Sequence, residues 1–262
     1  RYARLNQTLS ELQVFLDSEK DLWPDYHLTR RSMRSLIDIT NWQQCQGWDI
    51  TEILIFVYWL AHGFSNRVTP QAFSVPHSTV CCVLHNIAWN IKDKLDDIGL
   101  GFECLAHAAV NKAVCAIDGC HICMKPQKRK KEDYLSYKQF FSIQTQAICD
   151  SSGCSLNIFV RYSGSVNDTR IFKNSQAYVN AEYPPPGFVL LHDGGYPCKQ
   201  KENGSPYTLQ AAPSKKDTSH CHSLACTILE WAFRMIKTQW RRTLFKDFGG
   251  AEITACAFLH NI

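Results

Sequence analysis

The sequence predicts an α/β protein, in which an all-helical domain over residues 1–105 precedes a sheet domain with flanking helices over 106–262. Three observations carry that reading. Apolar residues recur at helical spacing up to about residue 105. Segments rich in β-branched and apolar residues, divided by turn residues, follow them. A long amphipathic helix then closes the pattern, as expected where helices cover a sheet. With 262 residues and 45% hydrophobic content, the chain can bury two cores.

In the first domain, "SELQVFLDSE" spaces Leu12, Phe15 and Leu16 for one helix face. "LTRRSMRSLIDI" follows Thr29 as a cap, with Met33, Leu36 and Ile37 inward. Asp49 and Thr51 suit the start of "ITEILIFVYWLAHG", and Gly63 suits its end. Thr69 and Pro70 open a short helix, "SVPHS" makes a turn, and a longer helix turns Val80, Val83, Leu84 and Ile87 inward. Short helix, turn and longer helix over about 69–95 is the helix-turn-helix plan, with His77, Ser78, Thr79 and His85 toward DNA. A plain helical hairpin within a bundle is the other reading of the same spacing.

In the second domain, "KAVCAIDG", "HICMK", "SIQTQAICD", "SLNIFVRY" and "GFVLLHD" read as strands, and "HSLACTILEWAFRMIKTQW" as a helix with Leu224, Ile228, Trp231 and Met235 on one side. Between the first strands lies "KPQKRKKEDY". Its run Lys128, Arg129, Lys130 and Lys131 reads as a solvated loop, with phosphate contact or a nuclear import signal as functional alternatives.

Two strands are expected to end on an acid followed by glycine: Asp118 in "AIDG" and Asp193 in "LLHDGG". A carboxylate at the edge of a core is costly without a partner. Each acid taken singly has an ordinary account as a turn residue, since Asp before Gly is a common turn pair. Together with Glu230 on the late helix they suggest one site, where three carboxylates repel unless a cation sits among them. Oxygen donors favour magnesium or manganese over zinc, and two such ions support in-line displacement at a phosphodiester. Asp150 is explained by its Ser-Ser-Gly turn, while Asp168 is either a helper of the metal site or a cap for "TRIFKNS".

The blocks "AFSVPHSTVCCVLH", "AIDGCHI", "GSVNDTRIF", "LLHDGGYP", "HSLACTILEWAFRMIKTQWRR" and "AFLHNI" resemble, in order, those of the PIF/Harbinger transposases and the Harbinger-derived putative nucleases of animals. The resemblance spans about residues 66–262. It implies an RNase H-like catalytic domain with a mixed sheet and flanking helices, behind an all-helical domain containing the helix-turn-helix. It further implies a DDE site, carried over by position to Asp118, Asp193 and Glu230 as catalytic residues and metal ligands, with Mg2+ or Mn2+ as cofactor. The implied activity is cleavage, with joining of the cut ends as an extension, of double-stranded DNA in the nucleus. A Myb-like DNA-binding partner protein is implied as well, and a homo-oligomer and a share of cytoplasmic protein stay open. Departures are Ser136, Tyr137 and Gln139 where the family tends to Asn, Arg and Gly, Asn167 where it tends to His, and Cys226 where Arg is frequent. They keep a rival reading open, that of a domesticated, catalytically silent module that binds DNA or the partner.

The remaining signals are weaker. A net charge of +4 and a pI near 8.4 permit nucleic-acid binding without requiring it. Lys138, and Arg241 and Arg242 at the helix end, are candidate phosphate contacts; the two arginines equally suit the helix dipole. "CHIC" (Cys120, His121, Cys123) and "HCH" (His220, Cys221, His222) carry zinc-binding residue types without a common finger spacing. The odd count of 13 cysteines, set in apolar stretches, predicts buried free thiols in a reducing compartment. The longest apolar run, Ile53 to Ala61, is too short for a membrane span, so the expectation is a soluble, intracellular protein.

Overall fold

The structure, a computed structural model, describes residues 10–40, 49–63, 68–98, 115–125, 131–150, 153–179, 190–192, 196, 209–211, 219–244 and 250–262. Contacts divide the chain into two compact units. One holds Arg1–Ile98, Lys237–His260 and Ile262, and the other Gly99–Ile236 and Asn261.

The helical unit begins with α1 (Ser10–Leu16), α2 (Trp23–Tyr26) and α3 (Arg30–Thr40). Thr29 Oγ1 accepts from the Ser32 amide at 3.1 Å, the expected cap of α3, and Met33 and Leu36 are fully buried. Leu16, expected inward, is exposed instead, whereas Val14 and Phe15 are half-buried. α4 (Asp49–His62) buries Ile53 through Val57 and Trp59 through Ala61, so the longest apolar run of the chain is its central helix. Gly63 ends α4 at φ 65°, its amide donating to Trp59 O at 3.0 Å. α5 (Thr69–Ala72) and α6 (His77–Ile98) follow with Val80, Val83, Leu84 and Ile87 buried. α6 packs on α4 and α3. The last turn of the long helix α9 (Ser219–Gln239) and most of α10 (Gly250–Asn261) complete the unit. Among the described residues, no helix is long and apolar enough to cross a membrane.

The sheet unit is a mixed five-stranded sheet in the order β3-β2-β1-β4-β5, where β1 is Cys115–Cys123, β2 Ser142–Cys149, β3 Ser155–Ser163, β4 Leu190–His192 and β5 Leu209–Ala211. β1, β2 and β3 pair antiparallel, while β1 with β4 and β4 with β5 pair parallel. The short helices α7 (Asp168–Lys173) and α8 (Gln176–Val179) lie between β3 and β4. β5 was not expected, and "AIDG" and "HICMK" prove to be one strand. Gly119 pairs with Gln146 and the ladder runs unbroken to Cys123, so Asp118 stands inside β1 and not at its exit.

Each face of the sheet has its own core. Ile117, Ile148, Leu156, Phe172, Ala177, Leu190 and Tyr196 pack on the side of α7 and α8. Ala116, Ala147, Cys149, Leu229, Ala232 and Phe233 pack on the side of α9. Alternation along the strands assigns the two sets, and each fully buried large apolar side chain contributes about 1.5–3 kcal/mol.

Candidate active site

Asp118 lies on β1 between Ala116 and Cys120, both on the α9 face, so alternation turns its carboxylate toward that face. It is half-buried, opposite Ala147 of β2, and its Oδ1 accepts from the Gly119 amide at 2.7 Å. On the same face Thr145, opposite Cys120, has a buried hydroxyl with no hydrogen-bond partner among the described residues. β4 runs parallel beside β1, with His192 the register partner of Ile117. The expected second acid, Asp193, lies outside the described residues.

Glu230 is exposed on α9, next to Leu229, which enters the core. Two residues apart on a helix means about 200° around it. Ile228, which points its methyl toward Gly153 at the β2–β3 turn, therefore marks the flank opposite Glu230. Among the described residues no three His, Cys, Asp or Glu side chains are grouped closely enough to hold a metal ion.

Asp168 is on the other face. Its carboxylate occupies the space that a Cβ on Gly119 would need and accepts from Gln144 Nε2. Gln146 Nε2 donates to the Asp168 carbonyl at 3.3 Å and to the Tyr196 hydroxyl at 2.7 Å. Tyr196 is buried against Phe172 and His192, the residue that ends β4. This polar network braces β1, β2 and the exit of β4 from behind, so any action of Asp168 on Asp118 passes through the Gly119 backbone. Nor does Asp168 cap α7, as one reading of the sequence had it. Asn167 does, accepting from the Arg170 amide at 2.9 Å, because its extended backbone aims the side chain at the first turn. Gln144, Gln146 and Tyr196 were not singled out from the sequence. The signal was a pair of glutamines at period two in a strand otherwise built for burial.

The other candidates are scattered. His77 and Ser78 are exposed at the start of α6, and Thr79 is half-buried. Lys138 is exposed with Nζ 5.4 Å from the centre of the Tyr137 ring. Arg241 is exposed in the 3-10 turn Arg241–Leu244, whereas Lys128, Arg129 and Lys130 and the side chain of Arg242 lie outside the described residues. Cys120 joins the α9 face and His121 the opposite one, where its Nδ1 lies 3.0 Å from Ser142 Oγ. Of the described free cysteines, Cys149 and Cys256 are buried, while Cys82 and Cys123 are exposed and Cys81, Cys120 and Cys154 lie between. The expectation of buried thiols thus holds for some of the described cysteines and not for Cys82, which falls on the outer side of the amphipathic α6.

Comparison with known proteins supplies the rest. The chain is similar to a plant protein of Arabidopsis thaliana named Protein ALP1-like, 25% identical over 214 residues that cover 70% of this chain and 51% of that protein. The chain thus spans about half the length of the curated relative that it matches. No solved structure matches it significantly. A family model described as DDE superfamily endonuclease matches residues 117–261, from the strand that carries Asp118 to the end of α10. That match takes in more than half of the chain, which belongs to the DDE superfamily endonucleases, the transposase-related group its sequence blocks resemble.

Proposed function

We propose that the chain is a divalent-metal-dependent DNA endonuclease of the Harbinger transposase type, with an RNase H-like sheet unit in which Asp118, Asp193 and Glu230 act as ligands. The observation that carries this is the register of β1 and β4. Ile117 pairs with His192 on parallel neighbours, so each strand has its acid as the next residue in sequence. Adjacent strands lie about 4.8 Å apart, a spacing suited to two carboxylates that share an ion. α9 crosses the face to which Asp118 points and carries Glu230 on one flank.

The donor types fit a hard cation. Carboxylate oxygens suit Mg2+ or Mn2+, and the Thr145 hydroxyl adds a buried neutral oxygen on the same face with no protein partner among the described residues. When bound, the ions supply a lowered pKa for the attacking hydroxyl and charge stabilisation at the leaving oxygen. The chain's own part is to fix the ligands and hold the backbone. The antiparallel pairing of β1 with β2 makes Asp118 rigid, the Asp168, Gln146 and Tyr196 network braces the strands from the far face, and basic side chains neutralise phosphates. Double-stranded DNA, a Myb-like partner protein and a nuclear location belong to the same reading.

The test is incubation of supercoiled plasmid with the protein and Mg2+ or Mn2+, beside Asp118→Asn and Glu230→Gln. Cutting by the wild type, and a loss of at least a hundredfold in each variant with DNA binding kept, is the expected result. A wild type that binds DNA and cuts with neither ion, or variants that cut at the wild-type rate, would overturn the proposal.

A further inference from the structure

One segment holds the charge of the whole chain. Residues 125–138 carry six cationic side chains and two acids, an excess of four, which equals the formal net charge of +4 for all 262 residues. Elsewhere the protein balances to zero, so its attraction for a polyanion is concentrated here.

The segment leads into a fixed turn. Leu135 pairs with Phe141 across it. The Ser136 amide donates to Phe140 O at 2.9 Å, the Gln139 amide to Ser136 O at 2.9 Å, and the Met124 amide to Phe141 O at 3.0 Å. Gln139 holds the left-handed φ of 62° that closes it. At its tip Tyr137 is 75% exposed, more than any other large apolar or aromatic side chain among those described. His121 supports the ring edge-on at 5.6 Å and is itself backed by Phe140 at 6.1 Å. Lys138 Nζ lies 5.4 Å from the Tyr137 ring centre, and Lys131 Nζ lies 5.8 Å from that of Phe141.

A rigid exposed ring amid ammonium groups matches what single-stranded nucleic acid offers, a flat base next to a phosphate. A duplex offers phosphates and base edges but no free base face, because its bases are stacked inside. We infer that the Leu135–Phe141 turn is a binding element for unpaired DNA, in which Tyr137 stacks on an unstacked base and Lys138 and Lys131 neutralise the flanking phosphates. The inference rests on the endonuclease reading for its choice of DNA. It goes beyond that reading in naming the strand form and the residue that grips it. Such strands arise where a duplex is nicked or frayed at the cut. Glu132 and Asp133, at the base of the turn, limit the pull on phosphate and leave more of the affinity to stacking.

The experiment uses the full chain, a single-stranded deoxyoligonucleotide bearing 2-aminopurine, and a fully paired duplex of the same sequence. Tyr137→Ala is expected to weaken single-strand binding about tenfold and to abolish the quenching of 2-aminopurine, with duplex binding changed less than twofold. Tyr137→Phe keeps both signals. Lys138→Ala lowers the slope of log affinity against log salt by about one. Single-strand affinity unchanged in Tyr137→Ala, equal weakening for strand and duplex, or a wild type that binds neither overturns the inference. Plasmid cleavage measured alongside separates the two claims. A wild type that cuts while Tyr137→Ala binds normally retires the turn and keeps the nuclease, and one that grips single strands through Tyr137 yet never cuts does the reverse.

Discussion

At the scale of single residues, Gly119 and Gly164 make the sharpest demands on identity. A Cβ on Gly119 would collide with the carboxylate of Asp168 and stand 3.2 Å from Gln144 Nε2, both ends of side chains. A Cβ on Gly164 would strike the Ser142 hydroxyl and stand 2.9 Å from Ser142 O and 3.0 Å from Tyr134 O, two backbone carbonyls that cannot swing away. Gly164→Ala is therefore expected to cost about 2–3 kcal/mol and Gly119→Ala about 1–2 kcal/mol, a ranking that urea unfolding would reverse if the account were wrong. Gln139 presents the opposite case. It occupies a left-handed backbone that the side chain resists, so Gln139→Gly should raise stability by up to about 1 kcal/mol, read as a higher thermal midpoint. The sequence flagged Gln139 only as a departure from a family glycine. The φ angle gives that departure its energetic meaning.

At the scale of elements, helix ends were legible and strand limits less so. Thr29, Pro70 and Gly63 mark real boundaries because caps act locally. β5 was not legible, since three residues give no period; it pairs parallel with β4. Asp118 followed by Gly119 looked like a turn and is strand interior, because the vacancy at Gly119 is filled by Asp168 from 49 positions further along. The helical unit carries the pH prediction. His62, at the end of α4, is held below its ordinary value near 6.5 by burial and then by the charge of His27. His260, on α10, is lowered by burial, and its Nδ1 lies 2.9 Å from Gln239 Oε1. Each folded-state value is depressed, so as pH falls below about 6.5 the unfolded chain takes up protons that the folded chain refuses. Stability present above that pH should thus decline between pH 6.5 and 5, and His260→Gln should flatten the decline in a series of denaturant midpoints.

At the scale of the molecule, the composition hid where the charge lies and the order of the chain hid where its end goes. The overall balance of +4 is mild, yet it resides in fourteen consecutive residues. The stretch 237–260 belongs with the helices of the first 98 residues, which no local pattern announces. The α/β class and the helical first half were legible because periodicity and strand alternation report burial directly. The parallel pairing of β1 with β4 was not, because spacing in sequence says nothing of pairing across a sheet. Loss of cutting in Asp118→Asn and Glu230→Gln with DNA still bound belongs to this scale, since it asks whether separate segments act as one centre.

The sheet is also unequal in how it is assembled. β1, β2 and β3 are eight or nine residues long and pair antiparallel with their neighbours in sequence, β2 and β3 through a short turn, whereas β4 and β5 pair parallel and come from further along the chain. Local hairpins close quickly and cheaply, and distant parallel pairings come late. The β2–β3 hairpin is thus expected to form early, and β4, the inner strand that leads to Asp193, to join late, an order that amide hydrogen exchange checks. A fold ordered in this way matures its chemistry only after its scaffold is complete.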